Sequence, residues 1–234
     1  MSRLLVHVEG ETEETFVNEI LAPHLRQFGY TQVIAQILGN ARRRDRRGGI
    51  RGWDSARGDI LNHLREDGGR LATTMVDYYA LPQSGTRAWP GRNRSEILAF
   101  LHKARTVQDA LLADVSIHMG PSFNPVRFIP YVMMHEFEGL LFSDCDRFAR
   151  GIGQPALARQ LHEIRNAFDS PEEINDSPIT CPSKRVELLV PGYEKPLLGV
   201  LAVLEIGLDA IRAECPHFRQ WLEQLEVWPE RGVG

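Results

Sequence analysis

Residues 4–14 read LLVHVEGETEE, and the reading of this stretch decides the fold. Leu4 to Val8 is a short β-favouring run that stops at Glu9-Gly10, and a helix is expected to follow at once. Thr12 suits the cap of that helix, with Glu14 or Thr15 in its first turn. Phe16, Val17, Ile20 and Leu21 supply its apolar face. Pro23 is predicted to kink or end it, because proline lacks an amide donor and crowds the preceding turn. A strand that passes directly into a helix is the opening of a βαβ unit.

The same alternation continues outward from there. Thr31 to Leu38 (TQVIAQIL) reads as a second strand, and Gly39 to Gly52 as a polar loop rich in glycine and arginine. Trp53 to Arg65 has helical spacing through Ile60, Leu61 and Leu64. Leu71 to Leu81 (LATTMVDYYAL) is a third strand, bounded by Gly68-Gly69 and Pro82. Arg94 to Ala113 is an amphipathic helix, and Arg127 to Met134 a fourth strand. Strands alternating with helices predict an α/β fold, a Rossmann-like parallel sheet with helices on both faces. The nearly continuous apolar strands suit that double burial. After Glu136 the pattern becomes helical: 138–142, 156–167, 183–190, 197–214 and 217–225. The expected organisation is an α/β core over 1–145 and a helical C-terminal extension over 146–234, packed on that core.

The 234 residues are 43% hydrophobic and 25% charged, an ordinary globular composition that excludes bulk disorder, collagen and a disulfide-dense scaffold. No apolar run approaches the roughly 20 residues that span a bilayer, so no membrane partner is expected. The start, MSRLLVHVEGETEE, lacks a basic segment followed by a long apolar one, so no signal peptide is expected. Cys145, Cys181 and Cys215 are too few and too scattered for a disulfide framework or a zinc knuckle, which predicts a cytoplasmic protein with reduced thiols. The net charge of −4 argues against a non-specific coat on nucleic acid. Distribution matters more than the sum. Of 27 basic residues only Lys103, Lys184 and Lys195 are lysine, and six arginines lie between Arg42 and Arg51.

In open parallel sheets, sites form outside the carboxyl ends of the strands. Three predicted strands end in acids there: Glu9 after the first, Asp77 near the end of the third, and Glu136 after the fourth, with Glu138 close behind. Carboxylates converging from separate strands repel one another unless a cation neutralises them. Hard oxygen donors of this kind suit Mg²⁺, or Mn²⁺, and such ions activate water and orient phosphate in phosphoryl transfer. Each acid taken alone also suits a solvated loop or a cap, and Glu9 could simply favour the positive end of the next helix. Glu136 and Glu138 share a face on a strand but diverge on a helix. Glu136, nearer the strand end, is the preferred ligand of the two. His135 is a candidate partner to a ligand or a packed core residue.

The stretch VEGETEE (Val8 to Glu14), ending a first strand and opening a helix, resembles the first motif of the TOPRIM domain, in the form most similar to OLD-type nucleases. The resemblance implies a catalytic or metal-binding role for Glu9. A later TOPRIM strand ends in Asp-x-Asp, whose first aspartate matches Asp77 in VDYYAL; the second position here is Tyr79. MHEFEGLLFSD (Met134 to Asp144) offers replacement carboxylates. Together with TTMVDYYALP, PSKRVELLVPGYEK and ECPHFRQWL, it is similar to a bacterial TOPRIM-like family, a domain of unknown function. Members of that family are often encoded beside ABC- or AAA-type ATPases, some in phage-defence loci. The ordered set spans most of the chain. It implies Glu9, Asp77, Glu136 and Glu138 as metal ligands, Glu9 and Asp77 as catalytic groups, and Lys184 as the lysine that stabilises charge on a phosphoryl group.

The run ARRRDRRGGIR places Arg42, Arg43, Arg44, Arg46, Arg47 and Arg51 on the same predicted edge as the acids. Arginine forks pair well with phosphate oxygens, which points to DNA or RNA; a solvated loop or a dock for an acidic partner is the other reading. Arg185, beside Lys184, is a second basic point, and Lys195 follows ten residues later. His217 in CPHFRQW reads as a packed histidine. No G-x-x-x-x-G-K-[ST] loop exists, so the chain is not itself a Walker-type ATPase. The expectation is a metal-dependent nuclease or nickase. Its rivals are a non-catalytic binding or regulatory subunit of an ATPase complex, which Tyr79 favours, and a phosphate-acting enzyme on free nucleotides.

Overall fold

The computed structural model describes residues 2–38, 50–174, 177 and 180–231. Strand β1 (Ser2–Val8) runs into α1 (Glu11–Phe16), a wide π turn (Val17–Leu21) and α2 (Ala22–Arg26). Pro23 therefore neither ends nor breaks the helical run, because the wider turn just before it accommodates the missing donor. Strand β2 (Tyr30–Ile37), α3 (Trp53–Glu66) and β3 (Arg70–Asp77) follow. β3 is shorter than the run to Leu81, since Tyr78–Ala80 curls into a 3₁₀ turn. The next helix, read from the sequence as 94–113, is instead a short α4 (Arg92–Ser95) and a long α5 (Phe100–Met119).

All pairings in the sheet are parallel, in the order β2-β1-β3, with β4 (Phe128–Ile129) and β5 (Val132–Met133) both beside β3. Pro130 divides the expected fourth strand into these two pieces, because it has no amide for the ladder. Thr74 closes the gap: its hydroxyl accepts from Tyr131 N and donates to Tyr131 O, both at 2.9 Å.

The period of two along β3 sorts its side chains onto two cores. Ala72 and Val76 face α3 and α5, among Trp53, Ile60, Leu64, Val107 and Leu111. Leu71 and Met75 face the opposite layer. That layer holds α6 (Phe137–Leu141), α7 (Cys145–Gly151), α8 (Ala158–Arg165), α9 (Pro182–Leu189), α10 (Val200–Ile206), α11 (Leu208–Glu214) and α12 (Pro216–Arg231). The sequence missed α7. It also read one helix over 197–214, where a π turn at Lys195–Gly199 and a break at Gly207, with φ +78°, separate the pieces. The helical extension does not form a core of its own: Leu4, Val6 and Phe16 share one cluster with Ala202, Phe218 and Trp221.

Three side chains tie α12 to the sheet and to the turn that leads into β4. Trp221 Nε1 donates to Thr73 Oγ1 on β3 at 2.9 Å, and its ring stacks on Tyr131 with centroids 4.5 Å apart. Tyr30 Oη donates to Leu225 O at 2.7 Å, and Trp228 Nε1 to Val126 O at 2.8 Å. The first turn of α12 is capped from another element. The buried Glu172 carboxylate accepts from His217 N and Phe218 N at 2.8 and 2.9 Å.

A carboxylate cluster at the carboxyl edge of the sheet

β1 and β3 are adjacent and parallel, so their carboxyl ends deliver Glu9 and Asp77 to the same edge. The chain after β5 brings Glu136, the residue before α6, and Glu138 in its first turn. Glu13 joins from the first turn of α1, where its Oε2 accepts from Gly10 N at 3.0 Å. Internal donors hold three further carboxylates: Phe137 N donates to Asp77 Oδ1 at 3.0 Å, Ser183 N to Glu136 Oε2 at 3.1 Å, and Lys195 Nζ to Glu138 Oε2 at 2.9 Å. Glu138 is only 2% exposed, whereas the Lys195 side chain is 41% exposed, so the lysine reaches in from the rim. One oxygen, Glu9 Oε2, is buried with no hydrogen-bond partner among the described residues. The hydroxyl of the buried Tyr193 is in the same position.

Five carboxylates around one ammonium cannot all ionise cheaply in a desolvated site. Burial and the neighbouring Glu13 push Glu9 up to about 7, although the Asp77 backbone amide and Lys195 oppose the rise. Burial, with Glu138 adding repulsion, raises Glu13 to about 7. Asp77 is held well above the usual carboxylate range by burial, then by Glu9 and Glu13. Burial raises Glu138 as well, against the pull of Lys195. For Lys195, burial disfavours the charged form, but Glu138, Asp77 and Glu136 outweigh it and keep the ammonium protonated.

The donors suit a hard divalent ion, since all are carboxylate oxygens and one buried oxygen lacks a partner. Their arrangement is less ready. Among the described residues, no group of three or more His, Cys, Asp or Glu side chains stands where it could hold a metal ion. Each of Glu13, Asp77, Glu136 and Glu138 is turned to an internal donor, so a metal shell requires at least one of those bonds to open.

The structure thus gathers Glu9, Asp77, Glu136 and Glu138. Of the last two, Glu138 is the deeper and acts on Asp77, while Glu136 acts on Glu9. Lys184 stands apart: it is exposed and pairs with Glu187 at 2.6 Å, and Lys195 is the lysine among the acids. Arg185 donates to Thr180 O and lies over the Phe168 ring. Arg51 pairs with Asp59 at 3.6 Å, while Arg42, Arg43, Arg44, Arg46 and Arg47 lie outside the described residues. Tyr79 packs its ring on buried His135, with centroids 5.2 Å apart, so that position adds no carboxylate. His217 is packed, bonded to Gln108 Oε1 at 2.8 Å, and burial lowers its pKa to about 4.

Sequence reasoning passed over Glu13 and preferred Lys184 to Lys195. Glu13 follows Glu9 by four residues across a strand-to-helix turn, a spacing that could have flagged it. Nothing local marks Lys195, since only the return of the chain after α9 brings it to the acids. Two cavities, of about 280 and 430 Å³, lie elsewhere, one beside His63 and Arg70 and the other beside Cys145 and His162.

The buried acids make stability depend on pH in a definite direction. A raised carboxyl pKa means the folded state keeps protons that the unfolded chain releases, so stability falls as pH rises through the interval between the two values. Glu9, Glu13 and Glu172 act this way from 4.5 to about 7. The buried histidines act oppositely: burial lowers His7 to about 3 and His217 to about 4, so their contribution grows as pH rises and is complete above the unfolded value of 6.5. Between pH 4.5 and 6.5 the three acids outweigh the two histidines, and from 6.5 to about 7 only the acids act. Stability should therefore fall as pH rises from about 5 to 7.5, by on the order of 3 kcal/mol, and level off above that. Calorimetry across that range checks this, and a flat or rising profile would contradict the burial of the acids.

A family model described as Domain of unknown function (DUF4276) matches residues 8–226. No curated protein and no solved structure matches the chain.

Proposed function

We propose that this chain, which belongs to the DUF4276 family, is a divalent-metal-dependent phosphodiesterase acting on nucleic acid, a nuclease or nickase. The observation that carries this reading is the convergence of Glu9, Glu13, Asp77, Glu136 and Glu138 at one sheet edge around the Lys195 ammonium, with Glu9 Oε2 left unpaired among the described residues. Structural ion pairs balance acids against bases, whereas this site carries an excess of buried acid. Such an excess is typical of groups kept for chemistry. The resemblance of residues 8–14 to the TOPRIM first motif supports the same reading.

Glu9, Asp77, Glu136 and Glu138 would hold Mg²⁺ or Mn²⁺, which supplies positive charge at the phosphoryl oxygens when bound. Glu9 Oε2 is suited to take a proton from water as the water oxygen bonds to phosphorus and the P–O ester bond breaks. The departing oxygen then takes a proton from solvent. Lys195 at the rim balances negative charge. The six arginines between Arg42 and Arg51 suit a phosphate backbone by their sequence.

The test is direct. Purified protein with Mg²⁺ or Mn²⁺ should cleave or nick DNA or RNA, alone or together with an ABC- or AAA-type ATPase partner of the kind the family resemblance implies, as expected of an effector in a defence system. Inactivity on every substrate, with both metals and with such a partner, would overturn the reading. The second reading, a non-catalytic binding or regulatory subunit of an ATPase complex, is favoured by the internal donors that already hold four of the acids and by Tyr79. It predicts no carboxylate-dependent metal binding.

A further inference from the structure

We infer that Lys195 is a built-in counter-cation, holding the carboxylate cluster closed until a divalent ion displaces it from Glu138. The inference rests on the metal-binding reading above and concerns the regulation of that site.

Three observations converge on it. Lys195 Nζ bonds Glu138 Oε2 at 2.9 Å, yet the lysine side chain is 41% exposed and its carboxylate partner 2% exposed. The ammonium can therefore leave without repacking the core, whereas the acid cannot. Second, this one cation serves several acids at once, because Glu9, Glu13, Asp77 and Glu138 all lie within its electrostatic reach. A divalent ion would meet the same acids with twice the charge. Third, the site contains polar atoms the lysine does not satisfy. Among the described residues Glu9 Oε2 is buried without a hydrogen-bond partner, and so is the hydroxyl of Tyr193, which is 8% exposed and close enough to Glu138 and Lys195 to sense both charges.

The local backbone lets the lysine approach. Lys195 opens the π turn Lys195–Gly199 that leads into α10. Gly199 in that turn passes so close to α1 that a Cβ there would lie 3.3 Å from Tyr193 Oη and 3.4 Å from Thr12 Cγ2. The turn is thus seated against the helix that carries Glu13, two residues after the tyrosine that lines the same space. Release of Lys195 exchanges one charge-assisted bond for metal coordination and needs no bond made or broken covalently.

Mn²⁺ titration of the full-length protein by calorimetry, on the wild type, Lys195→Met, Lys195→Arg and Glu9→Gln, tests the inference. Removing the competing charge should tighten Mn²⁺ binding by roughly tenfold or more, whereas Lys195→Arg should stay near the wild type. Binding that depends on Glu9 but is equal or weaker in Lys195→Met would overturn the inference and leave the metal site standing. No Glu9-dependent binding in any variant would overturn the metal site itself. Should Lys195→Met fail to fold, the wild type answers alone. Only three lysines are present, so an amine-acylating reagent followed by peptide mapping reports Lys195 directly. Saturating Mn²⁺ should speed its labelling several-fold while Lys184 stays constant, and an unchanged Lys195 rate would refute displacement.

Discussion

A Glu9→Gln protein should lose about 10³-fold of its metal-dependent cleavage, and should melt higher than its parent at pH 8. The two effects come from one atom set. Glu9 Oε2 is a buried acceptor with no hydrogen-bond partner among the described residues, and burial with Glu13 holds its pKa up to about 7. At pH 8 the folded protein must carry that charge with only the Asp77 backbone amide and Lys195 to offset it, which costs stability. The amide removes the charge and keeps an oxygen of the same shape for the Asp77 backbone amide, so a gain of about 1–3 kcal/mol is expected. It also removes the proton acceptor and one metal ligand. Cleavage assays and calorimetry on the same preparation check both halves. Full activity in Glu9→Gln would remove Glu9 from the chemistry. A lower melting temperature would show that the carboxylate is there for structure.

Trp221→Ala should destabilise the fold by about 3–5 kcal/mol, the range for deleting a buried tryptophan. The residue is 2% exposed, stacks on Tyr131 and bonds Thr73 on the central strand. Its loss opens a cavity between α12 and the sheet and leaves the buried Thr73 hydroxyl with Ile129 O and Thr74 O as its remaining partners. Urea titration followed by circular dichroism reads the change, and a cost below about 1 kcal/mol would mean that α12 contributes little to the core. Trp221→Phe separates the two terms, since it keeps most of the stacking surface and removes the indole donor.

The sheet was legible because its signals are local. LLVHV, TQVIAQIL and the first part of LATTMVDYYAL are apolar runs with clear stops, and each became a strand within a few residues of its expected bounds. Errors arose where one residue overrides a pattern. Pro130 split β4 from β5, Gly207 split α10 from α11, and the 3₁₀ turn at Tyr78 shortened β3. The acids Glu9, Asp77, Glu136 and Glu138 were found because strand ends in a parallel sheet share one edge, which is a rule of topology. Lys195 was not chosen, because its place depends on how the helices after residue 145 pack, and periodicity is silent about that. Their sharing of one core with β1 was equally invisible, since amphipathic helices do not name the surface they cover.

The bond from Trp221 to Thr73 joins residues 148 positions apart. At synthesis rates of about 5–20 residues per second, roughly 7–30 seconds separate the appearance of the two partners on the ribosome. Through that interval the apolar face of the nascent sheet lacks its last helix, and until residue 195 is made the acids of its carboxyl edge have no lysine. The strands then wait for α12 with part of that face exposed, a surface that favours aggregation. A chain built this way should depend on chaperones during its birth more than its modest size suggests, and a stalled or truncated product would carry the strand-end acids without the ammonium that restrains them.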